Sequence, residues 1–167
     1  MSKVDSTGRS YQVIEIADLR RLALIARKDQ VDFFMNYPKW ANLYSGREIC
    51  IALCQGAALH YIDRCTGIND FDVYVFYRRN PRKNLYPKRI KSYDFGDAKF
   101  GQSQDQPNFV GRRVDCLVRS IDAIENEDVE ISIQRYLIDG KTKTARLLAA
   151  KAVLLLEPNC GKVIWPR

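Results

Sequence analysis

Asp70-Phe71-Asp72-Val73-Tyr74-Val75-Phe76-Tyr77 is the stretch on which the fold class turns. Its apolar residues are aromatic or β-branched, and the turn cluster Thr66-Gly67-Ile68-Asn69 precedes it. The pattern predicts a β-strand. Side chains two apart on a strand share a face. Asp70 and Asp72 therefore project side by side with Tyr74 and Phe76, while Phe71, Val73, Val75 and Tyr77 meet the other layer. Two adjacent carboxylates repel each other and are costly to keep dry. A hard divalent cation such as Mg²⁺ relieves that conflict, because it favours oxygen ligands. The plain alternative is a solvated strand end on which two acids happen to fall.

Working outward, Glu48-Ile49-Cys50-Ile51-Ala52-Leu53-Cys54-Gln55 is a second apolar run of strand length. It stops at Gly56, and Ala57-Ala58-Leu59-His60-Tyr61-Ile62 continues with helical character to about Arg64. A glycine at such a junction lets backbone N–H groups approach a phosphate, and the helix N-terminus favours an anion. His60, the only histidine, is read there as a structural residue, with proton transfer as the alternative. On the other side, Arg112-Arg113-Val114-Asp115-Cys116-Leu117-Val118 predicts a third strand, ending near Ser120. One acid among apolar residues needs a partner, because aspartate is rarely buried without one.

A glycine at a strand-to-helix turn, D-x-D on the next strand and a third Asp on a later strand together resemble the nucleotidyltransferase superfamily related to DNA polymerase beta. The resemblance covers roughly residues 48–118 and rests on short motifs in a particular order. It implies an α/β (α+β) fold, with a nucleotidyltransferase-like mixed sheet flanked by helices. It implies that Asp70, Asp72 and Asp115 are the catalytic, metal-binding carboxylates, and that Gly56 and Ala57 form the phosphate turn. The family usually has Ser or Gly after that glycine. Ala57 departs from this pattern and offers the triphosphate no hydroxyl. The implied activity is Mg²⁺-dependent transfer of a nucleoside monophosphate from an NTP to an unknown acceptor hydroxyl. The alternative is a catalytically inactive member acting as a nucleic-acid- or protein-binding module.

Charge adds a second theme. The net charge is +7, and Arg78, Arg79, Arg82, Lys83, Lys88, Arg89 and Lys91 fall in one segment that contains no acid. The rest of the chain is therefore formally neutral. This segment leaves the D-x-D strand directly, so Arg78, Arg79 and Lys88 are candidate phosphate contacts and the whole stretch a candidate nucleic-acid surface. Tyr86 and Tyr93 are placed to stack on a base. A solvated loop that aids solubility is the competing reading. Lys99, in the loop beyond, is a further candidate phosphate contact.

At 167 residues, 46% of them hydrophobic and 28% charged, the chain is long and apolar enough for one folded domain over 11–167. Residues 1–10 are polar and are expected to be a flexible leader without the apolar core of a secretory signal. No apolar run is long enough to span a bilayer. The five cysteines form no C-x-x-C pair. This disfavours zinc and points to free thiols in a cytoplasmic setting.

The remaining segments read as scaffold. A helix is expected from Asp18, as N-cap, towards Met35. A short one follows Pro38, with Trp40 as a core anchor. Gln102 to Asn108 reads as a mobile loop, and a short strand is expected near Arg89 to Phe95. Val129, Ile133, Tyr136 and Leu137 fit one helix face that stops at Gly140, although Val129, Ile131 and Ile133 also alternate as a strand would. Thr144 to Leu156 reads as a buried helix closed by Pro158, with an extended segment from Lys162 to Pro166.

Overall fold

The structure is a computed structural model that describes residues 4–86 and 91–167. It is an α/β fold. Helices α1 (Ile16–Asn36) and α2 (Pro38–Tyr44) precede β1 (Glu48–Cys54), α3 (Gln55–Asp63) and β2 (Phe71–Arg78). Then come β3 (Lys91–Asp94), a 3₁₀ turn at Ala98–Phe100 and β4 (Arg113–Ile121). Helices α4 (Val129–Asp139) and α5 (Lys143–Ala149) lead to β5 (Val153–Glu157) and β6 (Val163–Trp165). The six strands form one mixed sheet in the order β3-β4-β2-β1-β5-β6. Among the described residues, only the β2–β4 contact is parallel.

Strand alternation divides the core in two. Ile51, Leu53, Val73, Val75, Val114 and Leu154 face α1, α2 and α3 on one side. Ala52, Cys54, Tyr74, Phe76 and Leu155 face α4 and α5 on the other. Helix α1 buries Leu19, Leu22, Ala23, Ala26 and Phe33, which recur at helical spacing. Each large aliphatic or aromatic side chain buried this way contributes about 1.5–3 kcal/mol. Three polar residues of the same helix, Asp18, Asp29 and Gln30, are buried as well. Tyr77 Oη donates to Gln30 Oε1 at 2.7 Å, and the Tyr93 hydroxyl donates to Asp29. Tyr93 is thus engaged in this network and is not a free stacking platform.

Several expectations need correction. Asp18 is not the N-cap of α1; Glu15 is, and Asp18 sits three residues in, accepting from the Glu15 N–H at 2.8 Å. Lys99 is not free for phosphate, since its Nζ lies 2.6 Å from Asp18 and 3.0 Å from Glu15. Residues 4–10 are tied to the body: Ser10 is fully buried and pairs with Ile68, and Arg112 donates to Gly8 O at 2.8 Å. Residues 1–3 of the expected leader lie outside the described residues. Ser103, within the stretch expected to be mobile, is buried and accepts from the Arg113 N–H at 2.7 Å. Trp40 packs against the core only in part, with Lys83 Nζ 4.9 Å from its ring centroid.

The largest difference lies at the C-terminus. The expected helix from Thr144 to Leu156 ends at Ala149, and Val153 to Glu157 turns into a strand beside β1. Val153, Leu154, Leu155 and Leu156 are buried on both faces of the sheet. A strand of that kind carries a continuous apolar run, which periodicity cannot separate from a buried helix. The open backbone groups of β1 decide the outcome, because buried N–H and C=O groups must be paired. Leu154→Ala should therefore cost about 2–5 kcal/mol in urea unfolding. Leu147→Ala, on the half-exposed face of α5, should change stability by less than about 0.5 kcal/mol. Equal losses at the two positions would contradict the strand assignment.

Candidate functional site

The sheet topology gathers one end of three strands. In the parallel β2–β4 pair, Asp72 stands directly opposite Asp115. Strands lie about 4.8 Å apart, so the two carboxylates are neighbours on the same face. The antiparallel partner β1 ends at the same place, with Cys54 opposite Asp72. Helix α3 begins at the next residue, so its positive end adjoins the acids. Asp70 lies two residues before Asp72, just ahead of β2.

The three carboxylates predicted from sequence do converge. Asp70, Asp72 and Asp115 each offer one oxygen, and these oxygens lie within 4.8 Å of one another. Ligands on opposite sides of Mg²⁺ at about 2.1 Å would be about 4.2 Å apart. Small side-chain adjustments would therefore bring the donors to ligating distance, and carboxylate oxygens are the donors Mg²⁺ favours.

Electrostatics mark the cluster as strained. Burial first, then the charges of Asp70 and Asp115, push the Asp72 carboxyl up to about 7, against the opposing pull of Arg113 and Lys151. Burial also raises Asp115, opposed by a hydrogen bond from Ser92 Oγ at 2.7 Å and by Arg113. Arg113 is the principal cation here. Its Nη2 lies 2.7 Å from Asp70 and its Nε 3.2 Å from Asp115, the latter an ion pair without hydrogen-bond alignment; a third contact goes to Asp105. Both oxygens of Asp115 thus have a neighbour, Ser92 on one and Arg113 on the other.

The phosphate turn differs in detail from its expected form. The positive φ falls on Gln55, at 62°, and Gly56 lies inside the first turn of α3. Gly56 borders open space: a Cβ added there would meet only Lys151 Nζ, at 3.9 Å. Ala57 is buried against the core. Among the described residues no side chain caps the helix, and the Gln55 N–H is taken by Ala152 O at 2.9 Å. Lys151, in the turn between α5 and β5, thus stands over the glycine and close enough to Asp72 to stabilise its charge.

The basic candidates are not part of this cluster. Arg78 closes the opposite end of β2, about 20 Å along the strand from Asp72. It pairs with Glu125 at 3.3 Å, and Arg79 pairs with Asp122 at 3.0 Å. They are too far from the acids to neutralise charge there. Lys88 lies outside the described residues. His60 is fully buried, with Nδ1 2.6 Å from Thr66 O, and stands as a structural residue. Cys50 and Cys54 are free but buried, which pushes both thiols well above their ordinary range and makes them poor nucleophiles.

Arg113, Ser92 and Lys151 were not singled out from sequence. Arg113 had a usable signal, since it precedes Asp115 by two and so shares its face. Lys151 had none, because its segment read as helix. Comparison with family models, with curated proteins and with solved structures finds no match to this chain. Among the described residues, no helix is long and apolar enough to cross a membrane.

The raised Asp72 carboxyl has a thermodynamic consequence. Its folded pKa of about 7 lies above the reference value of 3.8, so folding takes up a proton between those values. Stability contributed by Asp72 is therefore lost as pH rises from about 4 to about 7. In metal-free buffer Asp72→Asn should be more stable than the parent at pH 8 by roughly 1–3 kcal/mol. The two proteins should converge near pH 4. Chemical denaturation at both pH values checks this, and identical stability at pH 8 would contradict the raised carboxyl.

Proposed function

We propose that this chain is a Mg²⁺-dependent nucleotidyltransferase, moving a nucleoside monophosphate from an NTP to an acceptor hydroxyl. The observation that carries the reading is the convergence of Asp70, Asp72 and Asp115, three partly desolvated carboxylates at one end of the sheet. That arrangement is costly without a cation and is relieved by one. Supporting it, the N-terminus of α3, Gly56 and Lys151 Nζ provide positive potential and open space beside the acids. Lys151 offers a cationic contact where Ala57 supplies no hydroxyl.

In this reading Asp70 and Asp72 hold the cations and Asp115 shares one of them. Bound there, Mg²⁺ would supply Lewis-acid stabilisation of the attacking and leaving oxygens of an in-line displacement. Asp115, raised by burial, accepts the proton of the acceptor hydroxyl. The freed oxygen forms a bond to the α-phosphorus. The bond from that phosphorus to the bridging oxygen breaks, and pyrophosphate leaves with the electron pair. Lys151 and the α3 N-terminus hold the β- and γ-phosphates. As the cation enters, Arg113 would release Asp70 for a phosphate oxygen while keeping its existing contact with Asp105.

One observation favours a second reading. The Arg113 guanidinium already neutralises part of the cluster, as a lapsed member of the fold would require. Such a protein would serve as a nucleic-acid- or protein-binding module without turnover. Calorimetry with Mg²⁺ and ATP separates the two. The transferase reading expects saturable binding that needs Mg²⁺, is lost in Asp72→Asn, and weakens about tenfold, or about 1.4 kcal/mol, in Lys151→Met. No heat with Mg²⁺·ATP or any other Mg²⁺·NTP, or undiminished binding by Asp72→Asn, overturns it.

A further inference from the structure

A second concavity lies on the same face of the sheet as the acids. It is a cavity of about 540 Å³, a volume within the range of small-ligand sites. Its floor is the C-terminal end of β4, at Arg119, Ser120 and Ile121. The end of α4 and the start of α5 form one wall, and Asn84 and Tyr86 contribute the other. On β4, Asp115, Leu117 and Arg119 alternate onto one face. Arg119 is thus about 13 Å along the strand from the carboxylate cluster, a gap that an extended ligand can bridge.

We infer that this cavity binds a phosphorylated, ring-bearing ligand of the nucleotide class. Its charges are what such a ligand needs. Arg135 is committed to Glu127, and Arg79 to Asp122. Arg119 is not committed in this way. Among the described residues its guanidinium meets neutral oxygens, Val118 O at 3.0 Å and Thr144 Oγ1 at 3.4 Å. Lys143 stands at the rim without a carboxylate partner among the described residues, and Lys141 reaches Asp139 only at 4.0 Å. A guanidinium on a half-buried floor with two lysines above it favours a phosphate, which arginine binds through paired N–H groups.

The ring is accommodated by tyrosines. Tyr86 is more than half exposed at the mouth, and nothing else in the function described so far uses it. Tyr136 lies deeper, fixed edge-on against Phe76 at 5.9 Å between ring centroids and by its hydroxyl 3.2 Å from Thr142 Oγ1. Rings held in this way offer faces on which a base stacks at little entropic cost. Asp122 and Asp139 accept from hydroxyl or amino groups. The role of acceptor in the proposed transfer rests on the preceding reading; binding itself does not. As acceptor, the ligand would present its hydroxyl towards Asp115 while Arg119 and Lys143 hold its phosphate.

The test is calorimetric titration of the full chain in EDTA with 5′-AMP, adenosine and ribose 5-phosphate. AMP should bind, with adenosine and ribose 5-phosphate each at least tenfold weaker. Arg119→Met and Lys143→Glu should each weaken AMP fivefold or more. Lys143 is exposed at the start of α5, so its exchange leaves the fold intact. Asp72→Asn should leave the AMP affinity unchanged. Absent AMP binding, adenosine binding as tightly as AMP, or an affinity indifferent to both cationic substitutions overturns the inference. AMP binding that persists while Mg²⁺·ATP binding fails supports the cavity and removes the transferase reading.

Discussion

The in-register parallel pairing of β2 with β4 is the constraint from which the rest follows. It sets Asp72 against Asp115 across a single strand spacing, on one face of the sheet. Strand pairing is fixed by two rows of buried side chains, so the carboxylates cannot separate without losing core. The fold thus holds two like charges together with a third, Asp70, and accepts the electrostatic cost. Strongly shifted groups cluster at functional sites and also occur in structural ion-pair networks.

What offsets the repulsion determines what the molecule can do. Three sources of positive potential surround the acids: the Arg113 guanidinium, Lys151 and the N-terminus of α3. Arg113 and Lys151 do not bring Asp72 back to its ordinary range. Burial and the two neighbouring carboxylates keep Asp72 raised, a cost that a bound cation would relieve. The same face carries the cationic, tyrosine-rimmed cavity further along β4. One strand therefore links the region of charge excess to a recess of ligand size.

Much of this arrangement could be read from the chain because it depends on short-range patterns. The alternation in β2 placed Asp72 with Tyr74 and Phe76, and the structure keeps that face. Gly140 stops α4 in the left-handed conformation, as local chemistry dictates. Failures came where distant partners decide. Val153 to Leu156 becomes a strand only because β1 needs a neighbour, and this moves Lys151 out of a helix and over Gly56. Arg78 ends β2 and Arg79 follows it, so strand length carries both to the far end of the sheet from Asp72. Residues 4–10 looked like a free leader because nothing local reveals that Arg112, 104 positions away from Gly8, binds its carbonyl.

Paramagnetic NMR tests the central claim most directly. Mn²⁺ titrated into ¹⁵N-labelled protein broadens amides around a bound ion. The account predicts saturable broadening centred on Asp70, Asp72 and Asp115, extending to Gly56 and Arg113 and reversed by excess Mg²⁺. Broadening spread over scattered surface acids, or none near these three residues, would contradict it.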